Sequence, residues 1–163
     1  MCAIAGVFFA KSKKDLSSIE LMSDRMAYRG PDDRGVFFIE EMNGALGHRR
    51  LSILDLSPLA SQPMVSRCQN YSLTYNGEIY NYQEIKTELL QKNIQFKSHS
   101  DTEVLLQALL FWGVEEGLKK INGMFAFAFI DHRQKKFILR AIVLEKSHCT
   151  MLGAKKPFSS LQI

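Results

Sequence analysis

The sequence predicts an α+β fold whose strands pair mainly in antiparallel fashion. Two observations carry this prediction: the predicted strands cluster around a few helices, and strands and helices do not alternate regularly along the chain. The chain has 163 residues, of which 46% are hydrophobic and 23% are charged. This length and composition are typical of one globular domain with a sizeable core.

The first predicted elements are a strand and a helix. Residues 2–9 carry no charge and alternate small and bulky apolar side chains, a pattern typical of a buried strand. Residues 15–28 repeat apolar side chains at helical spacing, and Gly30-Pro31 directly afterwards predicts the end of this helix.

Three strands follow, the first two joined by a hairpin turn. Apolar or alternating segments predict strands at residues 35–39, 45–48 and 71–75. The turn is predicted at residues 40–44, because Asn43-Gly44 is a strong signal for a tight hairpin.

The second half of the chain holds two predicted helices and two predicted strands. The first helix presents an apolar face from Tyr82 to Leu89, and the second runs from Asp101 to Trp112. Ser100 is expected to cap the second helix, with Glu103 as its partner in a capping box. The strands are predicted at residues 123–131 and 136–139, joined by a turn at 132–135.

Cysteine spacing and charge argue against several classes of protein. Cys2, Cys68 and Cys149 are widely spaced and odd in number, which argues against a disulfide framework and against a zinc or other metal site. The net charge of +4 is modest and comes without a basic stripe of interleaved aromatic residues, so we expect no nucleic-acid partner. The longest apolar run, at 124–130, is far shorter than the ~20 residues that span a bilayer. With no recognisable signal peptide either, we expect a cytoplasmic protein that does not bind membranes.

Cys2 directly follows the initiator methionine. Once Met1 is removed, Cys2 carries a thiol and an α-amine on the same residue. An α-amine has a typical pKa of ~7.7–8.0, so it can serve as the base for the thiol near neutral pH. This is the logic of an N-terminal-nucleophile hydrolase, although a small residue at position two also occurs in proteins that make no catalytic use of it. Cys68 and Cys149 lie in no motif and are expected to be packing residues or incidental.

Four short segments carry the residue types of a catalytic pocket. They read Arg29-Gly30-Pro31-Asp32-Asp33, Gly47-His48-Arg49-Arg50-Leu51-Ser52-Ile53-Leu54-Asp55, Tyr75-Asn76-Gly77-Glu78-Ile79-Tyr80-Asn81 and Ser100-Asp101-Thr102-Glu103-Val104. Each alone has a structural explanation, namely a turn, a solvated strand edge, a hairpin and a helix cap. Their joint occurrence, in this order and after Cys2, favours a functional origin.

In this combination the chain resembles the glutaminase domain of class II glutamine amidotransferases, over residues 2–139. The segments around Arg50 and Asn76 are most similar to the branch of glutamine-hydrolysing asparagine synthetases. The resemblance implies the Ntn-hydrolase fold, a four-layer αββα sandwich with two mainly antiparallel sheets. It also implies that glutamine is the substrate and that the glutaminase step needs no cofactor. ATP and Mg²⁺ would serve a separate synthetase domain of a homodimeric parent enzyme.

The resemblance assigns the chemistry to three residues. Cys2 attacks the side-chain amide of glutamine and forms a thioester. The Asn76 side chain and the Gly77 backbone N–H form the oxyanion hole beside it. His48 is expected to be structural rather than a base, because the α-amine of Cys2 already has that role.

The resemblance also implies how glutamine is held. Arg50 binds the α-carboxylate in bidentate fashion, and Glu78 and Asp101 hold the α-ammonium group. A loop near the pocket, expected to order or gate it, carries Arg29, Asp32 and Asp33.

The resemblance stops after Leu139. The family continues with a segment such as A-R-D-R-L-G-x-K-P-L-Y-Y, whereas this chain reads Arg140-Ala141-Ile142-Val143-Leu144. Codons for residues 139–151 can be chosen so that a shifted reading frame encodes A-R-D-R-L-G-E-K-P-L-Y-Y. The hypothesis is that residues 140–163 are a tail translated from a frameshifted gene, which leaves no synthetase domain after 2–139. Restoring one base near codon 139 must then open a reading frame into that domain.

Three functions are compatible with these motifs. The first is the glutaminase of an asparagine synthetase-type enzyme, which passes ammonia to an ATP-dependent synthetase domain. The second is a non-catalytic truncated remnant that keeps the fold as an interaction module. The third is the glutaminase domain of an asparagine synthetase-like enzyme that amidates another acceptor.

Overall fold

A computed structural model of the protein describes residues 2–8 and 16–142. This part of the chain holds seven strands: β1 (Ala3–Phe8), β2 (Asp33–Ile39), β3 (Gly44–Arg50), β4 (Met64–Val65), β5 (Tyr71–Ile79), β6 (Gly123–Asp131) and β7 (Lys136–Ile142). They form two antiparallel sheets, the first in the order β1-β3-β2 and the second in the order β4-β5-β6-β7. The predicted antiparallel pairing is confirmed.

Four helices of the described residues flank the sheets: α1 (Ser18–Arg25), α2 (Tyr82–Gln91), α3 (Asp101–Trp112) and α4 (Val114–Lys120). Ile19 of α1 lies against Gly47 of the first sheet, whereas α2 and α3 share a hydrophobic core with the second sheet. The layers follow the order α1, first sheet, second sheet, α2 to α4, which confirms the predicted four-layer αββα sandwich. None of these helices is long and apolar enough to cross a membrane.

Strand β6 connects the layers. Its apolar run is buried on both faces, as expected for a strand between two layers. Phe125 and Phe127 belong to the core shared with the helices, whereas Ala128 and Ile130 pack with Leu46 of the first sheet. Burial of a Phe or Ile side chain contributes about 1.5–3 kcal/mol. β6 therefore fixes its neighbour β5, which carries three of the predicted site residues.

The helix predicted at residues 15–28 is shorter in the structure. α1 ends at Arg25 and a separate 3-10 turn covers Ala27–Arg29, while residues 9–15 lie outside the described part of the chain. After this turn, Gly30 crosses β3 so closely that a Cβ on it would lie 2.6 Å from Arg50 N. Only a glycine permits this approach, so a tight turn replaces the last turns of the predicted helix.

The two Asn-Gly pairs behave differently. Asn43 adopts a left-handed conformation (φ 47°) in the turn between β2 and β3, so the predicted hairpin is confirmed. Asn76-Gly77 lies within β5 and is paired with β6, so the hairpin explanation of this second pair is wrong. A Cβ at Gly77 would collide with the β6 backbone, which explains a glycine inside the strand.

In the second half, α3 and β6 have the predicted bounds and α2 covers the predicted apolar face. β7 continues past the predicted end at Leu139, because Arg140–Ile142 stay paired with β6 in an unbroken register. The sequence pattern predicts neither α4, which follows Gly113 (φ 81°), nor the two-residue strand β4. Of the predicted tail, residues 143–163 lie outside the described part of the chain.

Candidate active site

Cys2 lies directly before β1, at one end of the first sheet. Because Ala3 is opposite Arg49 in the antiparallel register, Cys2 stands beside Arg50. The half-buried Cys2 Sγ accepts a hydrogen bond from Leu51 N–H (3.4 Å) and lies 3.7 Å from Leu51 O. The thiol is therefore held against the strand end that carries the predicted carboxylate-binding arginine.

Arg50 is buried on the face of β3 that looks toward the second sheet. Alternation along the strand gives Arg50 the same face as His48 and Leu46, and Leu46 packs into the core between the sheets. The guanidinium donates to Ser57 O (3.1 Å) and to Asp55 O. These contacts use two of its five N–H groups, and a bidentate carboxylate needs two more.

Asp55 links the loop after β3 to the segment before α3. Its Oδ1 accepts from Ser57 N–H (2.8 Å) and its Oδ2 accepts from His99 N–H (2.7 Å). Hydrogen bonds from Ser57 and His99 hold the pKa of Asp55 at about 2, so this carboxyl is ionised at neutral pH. The loop that holds the Arg50 guanidinium is thereby tied to the region of Asp101.

The backbone after Tyr75 lies on an open edge of β5, because β4 pairs only with the first part of that strand. Along this edge, Tyr75 N–H donates to Gln62 Oε1 (2.6 Å) and Ile79 N–H donates to Asp101 Oδ2 (3.4 Å). Alternate residues of a strand direct their N–H groups to the same side. Gly77 N–H therefore points to the same edge, between these two, as an oxyanion donor requires.

Asn76 and Glu78 belong to the face of β5 that looks toward the first sheet. Their partners on β6 are Ala126 and Met124, and Ala128 on the same face packs into the core between the sheets. Asn76 is half-buried and Glu78 is exposed. Both side chains thus face the layer that carries the thiol and the guanidinium.

Asp101 is the first residue of α3 and is buried, with 6% of its surface exposed. Its Oδ2 accepts from Tyr75 O–H (2.8 Å) as well as from Ile79 N–H. Burial raises the pKa of Asp101, while the hydrogen bonds from Tyr75 and Ile79 oppose that shift. Asp101 is therefore a buried carboxyl whose ionised form depends on these donors or on a bound cation.

The cap of α3 differs in part from the prediction. Ser100 Oγ accepts from Glu103 N–H (3.3 Å), so the predicted N-cap is confirmed. The Glu103 carboxylate accepts from Lys97 N–H (3.0 Å) and Ser98 N–H (2.6 Å) instead, while Ser100 N–H donates to Ser98 Oγ (3.3 Å). The predicted reciprocal capping box is wrong, because the preceding loop offers Glu103 two other N–H donors.

Tyr75 contacts Asp101 through its buried hydroxyl and His48 through its backbone carbonyl. Burial and the charge of Asp101 raise the pKa of Tyr75, and Glu78 and Cys2 act in the same direction. From the first sheet, His48 Nε2 lies 3.2 Å from Tyr75 O. Tyr75 thus links β5 to the start of α3 and to β3, while Cys2 and Glu78 act on its hydroxyl through their charge alone.

Burial of His48 makes protein stability depend on pH. Only 1% of His48 is exposed, and burial lowers its pKa to about 4 from the ordinary ~6.5. Between these values the unfolded chain binds more protons than the folded one, so stability falls as the pH falls through this window. We expect His48 alone to lower the free energy of unfolding by about 3 kcal/mol from pH 7 to pH 4.

Urea unfolding of His48→Gln at pH 7 and pH 4 measures this effect. The glutamine amide can still donate to Tyr75 O but does not titrate, so the variant is expected to lose less stability on acidification than the wild type. His99→Gln, at an exposed position, is the matched control and should keep the pH dependence of the wild type. An equal loss of stability in His48→Gln and the wild type contradicts the prediction.

Of the three predicted loop residues, Asp33 and Asp32 lie beside Arg50. Asp33 is opposite Arg50 in the register of β2 and β3, and its Oδ2 accepts from Ser61 Oγ (2.7 Å). Asp32 N–H donates to Arg50 O (3.0 Å), and Asp32 Oδ2 accepts from Ser52 N–H (2.7 Å). Arg29 is half-buried in the 3-10 turn that precedes this loop.

Sequence reasoning assigns no role to Tyr75, Gln62 or Asp55. The segment Asp55-Leu56-Ser57 does carry a signal for the contact between Asp55 and Ser57. An Asp side chain often accepts from the backbone N–H two residues further on, which forms an Asx turn. Tyr75 lies in a quoted motif, but its contact with Asp101 depends on the meeting of β5 with α3. Nothing in the local sequence around Gln62 indicates its contact with β5.

Metal ligands are a separate question. Within residues 2–8 and 16–142, the His, Cys, Asp and Glu side chains form no group of three or more that could hold a metal ion.

The sandwich of two antiparallel sheets, with a cysteine directly before its first strand, has the fold of the Ntn amidotransferases. Its solved neighbours include glutamine phosphoribosylpyrophosphate amidotransferase from Bacillus subtilis, with a TM-score of 0.63 and 20% identity. That likeness covers 81% of this chain and 35% of the other, and it concerns the fold.

The chain belongs to the glutamine amidotransferase domain family, whose model matches residues 1–143. Asparagine synthetase [glutamine-hydrolyzing] 1 of Bacillus subtilis is 35% identical over 162 residues, covering 97% of this chain and 23% of that protein. Amidase chry2 of Gibberella zeae is 33% identical over 127 residues, covering 78% of this chain and 19% of that protein. The chain spans about a fifth of the length of these curated relatives.

Proposed function

We propose that residues 2–139 form a glutaminase domain that hydrolyses L-glutamine to L-glutamate and ammonia. The observation that carries this proposal is that Cys2 and Arg50 lie together at one end of the first sheet, whereas Gly77 N–H and Asp101 lie along the open edge of β5, in the sheet that packs on it. A free amino acid with an amide side chain needs a nucleophile, a cation, an anion and an oxyanion donor at one place. Membership of the amidotransferase family supports the same reaction.

The chemical step is acyl transfer at the Cys2 Sγ, once Met1 is removed. The thiolate attacks the amide carbon, and the α-amine of Cys2 takes the thiol proton and delivers it to the leaving nitrogen. Ammonia leaves and a γ-glutamyl thioester remains on Sγ. A water molecule then attacks the thioester, which releases glutamate and returns the thiol.

Asn76 and Gly77 are proposed to stabilise the negative oxygen of both tetrahedral intermediates. The direction of Gly77 N–H along the open edge of β5 supports this role, and the adjacent Asn76 side chain supplies the second donor. Donors of this kind act without reorganisation because the strand already fixes them.

Arg50, Glu78 and Asp101 are proposed to hold the α-carboxylate and the α-ammonium group of glutamine. Three guanidinium N–H groups remain after the contacts with the Asp55 and Ser57 carbonyls, which fits a bidentate carboxylate. A bound ammonium would also compensate the buried charge of Asp101.

Arg29, Asp32 and Asp33 are proposed to order the pocket. Asp32 supports this role, because it connects the loop before β2 to Arg50 O and to Ser52 N–H directly after the strand. Loss of these contacts is expected to loosen the backbone that aims the guanidinium.

We further propose that the ammonia serves asparagine synthesis in a cytoplasmic, homodimeric parent enzyme. The asparagine synthetase relatives support this acceptor. ATP and Mg²⁺ would belong to its synthetase domain, and we assign no residue of this chain to them. We expect neither nucleic acid nor a membrane as partner. Residues 140–163 stay a predicted frameshift product, and the nucleotide sequence around codon 139 tests that prediction.

A second acceptor class has one observation in its favour. A relative of similar identity is named an amidase rather than an asparagine synthetase. An ATP-pyrophosphatase signature, S-G-G-x-D, in the downstream reading frame is expected for the parent enzyme. Ammonia transfer to aspartate or to another carboxylic acid by the restored full-length protein separates the two acceptors.

The glutaminase proposal is tested by incubating the purified chain with glutamine in the absence of ATP. We expect glutamate and ammonia in equal amounts from chains whose first residue is Cys2, as established by mass spectrometry of the intact protein. Chains that retain Met1 have no α-amine on Cys2 and are expected to be inactive. A processed, folded chain that produces no glutamate supports the remnant explanation and contradicts the proposal.

A further inference from the structure

We propose that Tyr75 is a positioning residue that couples the ammonium-binding carboxylate of Asp101 to the oxyanion segment Asn76–Gly77. This inference rests on the proposed glutaminase function, in which Asp101 and Gly77 both touch the substrate. Tyr75 itself would touch neither the reacting amide nor the thiol, and it would act through the residues that it holds.

Three polar groups of Tyr75 are each bound by a different part of the fold. The N–H donates to Gln62 Oε1 (2.6 Å), the carbonyl oxygen lies 3.2 Å from His48 Nε2, and the hydroxyl donates to Asp101 Oδ2 (2.8 Å). These partners come from the segment before β4, from β3 and from α3. Tyr75 is only 2% exposed, so water does not compete for these bonds.

The hydrogen bonds close a ring that includes Asp101, the residue predicted to hold the ammonium group. Gln62 Nε2 donates to Thr102 Oγ1 (3.2 Å), and Thr102 is the residue after Asp101. Tyr75 is therefore connected to the start of α3 twice, once through its hydroxyl and once through Gln62. Such a ring fixes the distance between the β5 backbone and the Asp101 carboxylate.

The direction of each bond agrees with the chemistry of its partners. Burial keeps His48 neutral at physiological pH, so only one ring nitrogen carries a proton, and because the Tyr75 carbonyl can only accept, that nitrogen is Nε2. Burial and the charge of Asp101 raise the pKa of Tyr75, so the hydroxyl stays protonated and donates to Asp101. Tyr75 is thus a fixed donor rather than an acid or a base.

Loss of the Tyr75 hydroxyl should affect binding more than turnover. Asp101 would contact the α-ammonium equally in the ground state and in the transition state, so a misplaced carboxylate raises KM and leaves kcat nearly unchanged. The carboxylate would also lose a donor, which raises its pKa further. The acid limb of kcat/KM, which reports groups of the free enzyme, should move to higher pH.

Tyr75→Phe in the full chain tests the proposal, with Tyr71→Phe as the matched control. Tyr71 lies at the other end of β5, and its hydroxyl contacts Arg133 rather than the site. For Tyr75→Phe we expect a KM for glutamine raised roughly tenfold, a kcat within about twofold of wild type, and the shifted acid limb. Tyr71→Phe should match the wild type in KM, in kcat and in the position of the acid limb. An unchanged KM and acid limb in folded Tyr75→Phe overturn the proposal.

Binding measurements separate this proposal from the proposed function. In a Cys2→Ala background, which cannot turn glutamine over, calorimetry with glutamine should give a Kd that Tyr75→Phe raises by the same factor. A wild type that hydrolyses glutamine, combined with an unchanged Kd, contradicts the role of Tyr75 alone. A Cys2→Ala chain that does not bind glutamine contradicts both proposals.

If Tyr75→Phe does not fold, Thr102→Val provides a second variant for the test. It removes the acceptor of Gln62 Nε2 but keeps the side-chain shape and leaves every proposed substrate contact in place. We expect KM to rise about twofold to threefold with kcat unchanged, because one neutral hydrogen bond of the ring is lost. A KM equal to that of the wild type contradicts a role of this hydrogen-bond ring in substrate binding.

Discussion

Cys2→Ala is expected to abolish glutamine hydrolysis, with kcat reduced by at least about a thousandfold. The variant keeps a small residue after Met1 and the same α-amine, so only the sulfur is lost. Without it no thioester forms, and the remaining binding groups hold glutamine without a nucleophile. The measurement is glutamate release from glutamine, compared with the wild type at equal concentration of folded protein.

Cys68→Ala is the matched control for this variant. Cys68 is exposed and hydrogen-bonds with Ser66, away from the site. Hydrogen bonds from Ser66 and Asn70 lower the pKa of Cys68, so among the residues that the structure describes this thiol is the competing candidate for reactivity. We expect full activity from Cys68→Ala. Normal turnover by Cys2→Ala, or loss of turnover in Cys68→Ala, contradicts the assignment of the nucleophile.

Arg50→Lys is expected to raise the KM for glutamine about a hundredfold. The substitution keeps the charge but replaces a planar fork by a single ammonium, which cannot bind a carboxylate in bidentate fashion and also hold two loop carbonyls. Loss of such a charge-assisted pair corresponds to about 2–3 kcal/mol. Steady-state kinetics with glutamine as the varied substrate measures the effect.

The neighbouring arginine supplies the control. Arg49 lies on the opposite face of β3, where Nε donates to Ser23 O (3.1 Å) and the guanidinium pairs with Asp24 of α1. Arg49→Lys is therefore expected to leave KM unchanged and to lower stability only slightly, since Asp24 is half exposed. If both variants raise KM equally, the effect comes from strand β3 as a whole and not from substrate binding by Arg50.

The sequence predicts best the elements whose signals are local. The continuous apolar run at 123–131 and the cap at Ser100 give β6 and α3 their observed bounds. Asn43-Gly44 and Asn76-Gly77 carry the same dipeptide, yet only the first forms a hairpin. The second stays extended because β6 pairs with it, and that partner lies more than 40 residues further along the chain.

The same difference between local signals and contacts of distant segments applies to the candidate site. Motifs identify Cys2, Arg50 and Asp101 because a family resemblance attaches a role to each. The contacts that hold these groups join distant positions, such as Asp55 with His99 across 44 residues and Tyr75 with Asp101 across 26. No periodicity or spacing within one segment encodes such pairs, so their supporting residues emerge only from the folded chain.

The division of the site between two sheets has a consequence for energetics. If glutamine binds Arg50 on the first sheet and Asp101 at the start of α3, as proposed, it bridges the layers and favours only the form in which the sandwich is closed. Saturation at a hundred times Kd adds about 2.7 kcal/mol to the free energy of unfolding. Opening of the layers empties the pocket, so amide protons of β1 and β5 should exchange more slowly together when ligand is present.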